Sequence, residues 1–298
     1  MKHALRTSRL YALSFSAIAA LAVGWLTPAQ AELPVMRLAA VSNVALSLPH
    51  DMTLTPDGRY LVVADMGNSR VVFLDPTTLA LRHVIGEEMM SFPHDVTFDP
   101  QGHLLVADSG NDRILVYSLE DLQIKLINVW SGLDGPEGIA VTPDGKIYVS
   151  LVGENRLAQI QDGRVVASVQ SALGMDLDRP HDIEVVKDAY GVSLILADAG
   201  NHRLIVFNEE LRPLYEISTW DPPFSEPKYL SANDNGLIFV ADQYNNRIRV
   251  FNSASKQLGQ FALDTVKLPE GVFVKDDHVW VSDTEGGRVL LYMQGKTP

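Results

Sequence analysis

Six residues stand directly after a proline at a recurring interval: His50, His94, Glu137, His181, Lys228 and Glu270. Neutral imidazoles and carboxylates that converge on one point suit zinc or another divalent ion. Unmetallated, the same residues would line a hydrated polar opening and bond to water and backbone. The chain has 8 histidines, and chance would place fewer than one at six such positions; three stand there. Lys228 would either pair with one of the two glutamates or meet an anionic group of a ligand. No organic cofactor is implied.

The elements that must position these residues follow from the spacing. Segments opening at Pro49, Pro93, Pro136, Pro180, Pro227 and Pro269 recur about every 44 residues. Each begins with a short apolar run, as in PHDMTLTPDGRYLVVADMGNSRVVFLD. Period-two alternation marks strands, and Asp-Gly, Gln-Gly and Asn-Gly mark tight turns between them. Asn68, Asn111, Asn201 and Asn246 fall at or near the next turn, where left-handed backbone is tolerated. A fourth strand follows, as in LRHVI. Four strands in about 44 residues, six times over, predict an all-β fold: a six-bladed β-propeller of four-stranded antiparallel blades. The innermost strand of each blade begins at the proline, so all six variable residues should crowd one mouth of the central channel. Only six residues follow Tyr292, too few for a last strand. The apolar segment Val35–Val41 should supply it by pairing with Arg288–Tyr292, which removes an exposed sheet edge.

Composition narrows the chemistry further. The chain has 298 residues, no cysteine and a formal net charge of −13. Disulfides, thiolate zinc sites and thiol nucleophiles are therefore excluded. Lys2, Arg6 and Arg9, the apolar run Leu10 to Leu26 and the small-residue site Ala29-Gln30-Ala31 read as a secretory signal cut after Ala31. The alternative is an uncleaved anchor. Cleavage would leave a propeller over residues 32–298 carrying a charge of −16. The expected product is an exported monomer, periplasmic or extracellular, with no later membrane span. Its acidity argues against nucleic acid as a partner. Gly-x-Ser-x-Gly, a phosphate-cradling loop and HExxH are all absent from the sequence.

Features that recur in every unit point to structure rather than function. Asp65/Arg70, Asp108/Arg113, Asp198/Arg203, Asp242/Arg247 and Asp283/Arg288 share one spacing, suited to charge-assisted bonds that tie strand ends. The third unit keeps Arg156 and shows Ser150 in place of the acid. Asp51, Asp95 and Asp182 follow the three histidines; strand alternation turns them away from the histidines, toward neighbouring loops. The loops that lead into each proline carry acids and aromatics, among them Trp130 and Trp220, which suggests a face for a cationic or peptide ligand. The longest of these, TWDPPFSEP, would form a lip over the mouth.

The pattern Pro-x-x-apolar … Ala-Asp-x-x-Asn-x-Arg-apolar resembles the NHL repeat family, over roughly residues 48 to 292. That resemblance implies the propeller but no single function, because such propellers serve as enzymes, scaffolds and binding modules. Pro-His-Asp at 49–51, 93–95 and 180–182 is also similar to the peptidyl-α-hydroxyglycine α-amidating lyases. This narrower resemblance implies zinc held by His50, His94 and His181. It also implies a proton-transferring tyrosine at Tyr244, within Asp242-Gln243-Tyr244-Asn245-Asn246-Arg247. Here the histidines come from units one, two and four, whereas that family takes them from alternate blades.

The leading expectation is a protein that binds a peptide, small molecule or protein partner at the mouth, with Lys228, Trp130 and Trp220 as contacts. The alternative is a metal-dependent lyase or hydrolase in which Glu137, Glu270 or Tyr244 moves protons. A third possibility is an assembly protein that uses the propeller rim.

Overall fold

The computed structural model describes residues 33, 35–188, 191–217, 219 and 222–295; the expected signal segment, Met1–Ala31, lies outside them. Six four-stranded antiparallel sheets form the architecture. Their inner strands are Pro49–Leu54, Pro93–Phe98, Pro136–Val141, Pro180–Asp188, Pro227–Ala232 and Pro269–Lys275, which head blades 1 to 6. Each inner strand neighbours the next, and that of blade 6 returns to that of blade 1, so the ring is closed. Among the described residues there is no α-helix, and no helix long and apolar enough to cross a membrane.

Five blades carry a single 3-10 turn after the second strand, at Met66–Asn68, Ser109–Asn111, Val152–Glu154, Ala199–Asn201 and Gln243–Asn245. The residue after each turn is left-handed: Ser69, Asp112, Asn155, His202 and Asn246.

The core lies between blades. Strand Leu61–Asp65 is buried throughout because both of its faces are covered. Leu61 and Val63 pack with Trp280 and Leu291 of blade 6, while Val62 and Ala64 pack with Val96 and Leu104 of blade 2. The same arrangement fills the other four gaps. A period-two strand therefore contributes to two hydrophobic layers, which drives blade-to-blade packing.

Closure follows the expected route. Val35–Val41 is the outer strand of blade 6 and pairs antiparallel with Arg288–Gly295, from Val35 opposite Gly295 to Val41 opposite Leu290. Ser42 N–H extends the ladder to Val289 O at 2.9 Å.

The repeated acid–arginine pairs are structural. Asp65, Asp108, Asp198, Asp242 and Asp283 each accept an arginine Nε–H at 2.6–2.7 Å. Their other oxygen accepts a backbone N–H from the loop that leads into the inner strand of the same blade, as Asp108 does from Ser91 at 2.6 Å.

Two expectations need correction. In blade 3 the residue opposite Arg156 is Leu151, so Leu151 and not Ser150 replaces the acid. Arg156 turns instead to Glu154, at 3.0 Å. Ser150 Oγ–H bonds His181 O and accepts Gly138 N–H at 2.8 Å, which ties blade 3 to blade 4. The alternation argument for Asp51, Asp95 and Asp182 also fails. Each inner strand carries a bulge directly after its proline: Pro49 pairs with Asp65 and Met52 with Val63, three steps against two. An extra residue breaks the alternation, and both His50 and Asp51 turn to the channel. Asp95 and Asp182 bond to the neighbouring inner strand rather than to a loop.

Candidate functional site: the channel mouth

The mouth is built on strained backbone. Every residue before an inner-strand proline is left-handed: Leu48, Phe92, Gly135, Arg179, Glu226 and Leu268, with φ between 47° and 57°. This costs a non-glycine residue about 1–2 kcal/mol. Side chains of the preceding blade accept four of these N–H groups. They are Asp112 for Gly135 (3.0 Å), Asn155 for Arg179 (2.8 Å), His202 for Glu226 (3.0 Å) and Asn246 for Leu268 (2.8 Å). The turn brings two of the strained carbonyls onto imidazoles. His50 Nδ1–H donates to Leu48 O at 3.0 Å, and His94 Nδ1–H donates to Phe92 O at 2.7 Å.

The six post-proline residues meet as the repeat predicts. His50 Nε2 forms an ion pair with Glu270, whose other oxygen accepts a bond from Gln243. The His50 and His94 rings meet edge to face, with centroids 4.7 Å apart. His94 Nε2 and His181 Nε2 lie 3.4 Å and 3.3 Å from the same oxygen, Glu137 Oε2. Lys228 is mostly buried, with Nζ 3.6 Å from Glu226. Tyr229 forms the floor. It is fully buried, packs edge-on to His50 and His181, and reaches from blade 5 to blade 2 to donate to His94 O at 3.1 Å.

Burial sets the charge states. It disfavours charge on His94, and the nearby His50 adds to this, so its pKa falls to about 3. Burial and then Lys228 hold His181 well below the usual imidazole range. Burial, aided by the nearby Glu270 and opposed by His50 and Lys228, lifts Glu137 to about 8. It also opposes charge on His50 and Glu270, but each offsets it for the other: His50 is raised and Glu270 lowered. Near pH 7 the mouth thus holds an imidazolium–carboxylate pair, two neutral imidazoles and a protonated carboxyl. His94 commits Nδ1–H to Phe92, so its Nε2 is a bare acceptor. Glu137 Oε2 and His181 Nδ1 are buried with no hydrogen-bond partner.

Further along the inner strands, beyond Tyr229, Asp51, Asp95, Asp182 and Glu184 line a cavity of about 250 Å³. Asp95 accepts Ile139 N–H at 2.6 Å. Asp182 accepts Ile183 N–H at 2.7 Å and Leu230 N–H at 2.8 Å. Glu184 accepts Ala232 N–H at 2.7 Å. Three of these four bonds cross from one blade to the next.

His50, His94, His181, Glu137, Glu270 and Lys228 are therefore brought together. Among the described residues, no three His, Asp or Glu side chains converge to hold one metal ion. Tyr244 is 54% exposed on the 3-10 turn of blade 5, and the tyrosine against the imidazoles is Tyr229. Tyr229 stands where three other blades have aspartate, and that break in the repeat was its signal. Trp130 is on the outer strand of blade 2, against Gly163 of blade 3, and not at the mouth. Trp220 lies outside the described residues. The described part of the expected lip is held down: Arg249 donates to Pro222 O and Pro223 O, and Phe224 is buried. Gly138 and Gly271 are also site residues by absence of a side chain, because a Cβ on either would collide with the next blade's backbone. Their signal was the repeated Pro-Glu-Gly of opposite blades 3 and 6.

A family model described as NHL repeat matches residues 90–117 and 224–251, and one described as strictosidine synthase-like, N-terminal, matches 122–153. The chain is 29% identical over 143 residues to human NHL repeat-containing protein 3, covering 42% of this chain and 40% of that one. It thus spans about two fifths of that relative. Among solved structures, a streptogramin B lyase superposes with a TM-score of 0.63 at 12% identity, covering 89% of this chain and 88% of that one. A gluconolactonase from Xanthomonas campestris superposes with a TM-score of 0.66 at 14% identity, covering 87% and 89%. At these identities the likeness is one of fold.

Proposed function

We propose, from the premise that this chain is a six-bladed propeller built of NHL repeats, that its channel mouth is a proton-transfer active site of the lyase or lactone-hydrolase kind. One observation carries the reading: a bare imidazole nitrogen, His94 Nε2, stands beside a carboxyl held protonated near neutrality, Glu137. His94 Nε2 accepts a proton from the substrate or from an attacking water. Glu137 delivers one to the departing oxygen. Lys228 anchors an anionic group and steadies negative charge as it develops. The His50–Glu270 pair keeps its charges paired and holds the neighbouring ring in place. That fold neighbours include a lyase and a lactonase supports the reaction class.

The test is hydrolysis of a lactone panel that includes gluconolactone, together with elimination from streptogramin B. The base must be neutral and the acid protonated, so kcat/KM should be level between about pH 4 and 7 and fall above 8. Glu137→Gln should cost ~10²–10⁴-fold and abolish the alkaline fall. Persistence of that fall in the variant would sink the assignment.

A second reading has an observation of its own. Two ligands on a tetrahedral zinc with bonds of about 2.0–2.1 Å stand about 3.3–3.4 Å apart. Glu137 Oε2 has that separation from His94 Nε2 and from His181 Nε2, so a bound ion would have to draw together three side chains that do not converge on one point in this structure. His50 does not join them, because Glu270 occupies its Nε2. A bound ion would polarise a substrate oxygen there. Elemental analysis of untagged protein decides it: stoichiometric zinc lost in His181→Ala supports the metal, and none after chelator-free purification removes it. Export belongs to the same proposal, on the strength of the leader pattern, and N-terminal sequencing of secreted protein should begin at Glu32.

A further inference from the structure

We propose that the mouth takes an amphipathic monoanion, a carboxylate with an apolar or aromatic body, whose head meets Lys228 and whose body lies on Phe92 and Leu48. This rests on the proposed function and names its substrate class.

Phe92 and Leu48 are 52% and 43% exposed, and both sit at φ 48°. Two costs therefore coincide, left-handed strain and apolar surface in water. The fold does not require either, since blade 3 makes the same turn with Gly135, for which a positive φ costs little. The Phe92 ring is nevertheless seated: it lies on the backbone of Gly110, where a Cβ would stand 3.0 Å from Cδ2. Met89, from the same loop, is also exposed. Blades 1 and 2 thus give the mouth an apolar rim.

The opposite rim is charged. Blades 4 and 5 carry Arg179 and Glu226 at the equivalent positions, 2.8 Å apart. Glu226 is shared with Lys228, whose Nζ stands 3.6 Å away, and Arg179 also has Asp178 at 3.8 Å, which leaves Lys228 the more loosely held cation. Lys228 on blade 5 faces blade 2, which carries Phe92. The span between these blades is that of one tyrosine side chain, because Tyr229 bridges it to His94 O. A compound of about one ring plus a carboxylate fits that width.

Calorimetric titration of the full propeller with acetate, 3-phenylpropanoate and neutral 3-phenylpropanol tests this. Phenylpropanoate should bind at least ~10-fold more tightly than either of the others, consistent with transfer of one apolar body. Phe92→Gly relieves strain, so it should raise the melting temperature while weakening phenylpropanoate about 10-fold and leaving acetate unchanged. Phe92→Asn, also tolerant of positive φ, should repeat the loss. Lys228→Gln should weaken both carboxylates alike. Equal affinity for acetate and phenylpropanoate, undiminished affinity in both Phe92 variants, or no carboxylate binding overturns the proposal. The two claims separate cleanly. A Glu137-dependent alkaline fall with affinities indifferent to Phe92 sinks only the substrate class; the predicted affinity order with Glu137→Gln fully active sinks only the acid–base reading.

Discussion

The two ends of the channel hold similar residues and use them differently. The inner chamber has Asp51, Asp95, Asp182 and Glu184; the mouth has three histidines, two glutamates and a lysine. Burial raises carboxyl pKa values at both ends: Asp182 to about 7, Glu184 to about 8 and Glu137 to about 8. Protonation therefore does not distinguish them. Bonding does. Asp182 uses both oxygens on backbone N–H groups, and Asp95 and Glu184 each hold one in the next blade. At the mouth, Glu137 Oε2 and His181 Nδ1 hold nothing. Unspent hydrogen-bonding capacity, rather than charge or shifted pKa, separates the mouth from the chamber.

The largest effect that could break this contrast is on stability. Asp182→Ala leaves two buried N–H groups without acceptors and should cost about 2–5 kcal/mol, whereas Glu137→Gln should be within about 0.5 kcal/mol of wild type. Equal losses in urea denaturation would show that the mouth is structural too.

Next comes pH. The chamber acids have folded pKa values above their unfolded ones, so the folded state binds more protons. Their stabilisation is fully present below about pH 4 and is lost as pH rises through about 7 to 8. Glu137 and His50 add to the same limb. The melting temperature should drop on the order of several degrees between pH 6 and 9, and Asp182→Asn should flatten that slope. An unchanged slope in the variant would remove the chamber from the account.

A smaller effect is expected from Tyr229→Phe, which deletes the bond to His94 O at a cost of about 1 kcal/mol and keeps the floor ring. The smallest is spectroscopic. His94 should show one tautomer, protonated on Nδ1, and stay neutral down to about pH 4, whereas His181 should show both tautomers. Nitrogen shifts that make the two rings alike would blur the contrast.

How much of this was legible in the sequence depended on whether a feature repeated. The prolines, the Ala-Asp ends and the arginines recur, so six blades and the closing strand could be read directly. The gathering of the post-proline residues followed from the topology. What escaped was local. The bulge after each proline makes Asp51 share the channel with His50, and period-two reasoning has no means of seeing an inserted residue. Leu151 was misplaced by one position because Ser150 resembles Ser282, which also precedes the acid's position. Tyr229 was missed because resemblance pointed to Tyr244. Trp130 was counted with the loops of the mouth because it stands at the end of the outer strand of blade 2, but that strand is the one farthest from the channel and the ring packs against Gly163 of blade 3.

The pairing of Val35–Val41 with the chain's last strand sets the order in which the molecule can be made. Blades 1 to 5 each draw all four strands from one continuous stretch of chain, but blade 6 stays three-stranded until Val35–Val41 pairs with Arg288–Gly295. The Val289 N–H bond to Ser42 Oγ joins residues 247 apart in sequence. Contacts of such separation form late, because the closure entropy of a long loop comes before its reward. Val35–Val41 must therefore wait without its partner until Arg288–Gly295 has been made, and the capture of that strand by the hairpin of blade 6 should be a late kinetic step of folding.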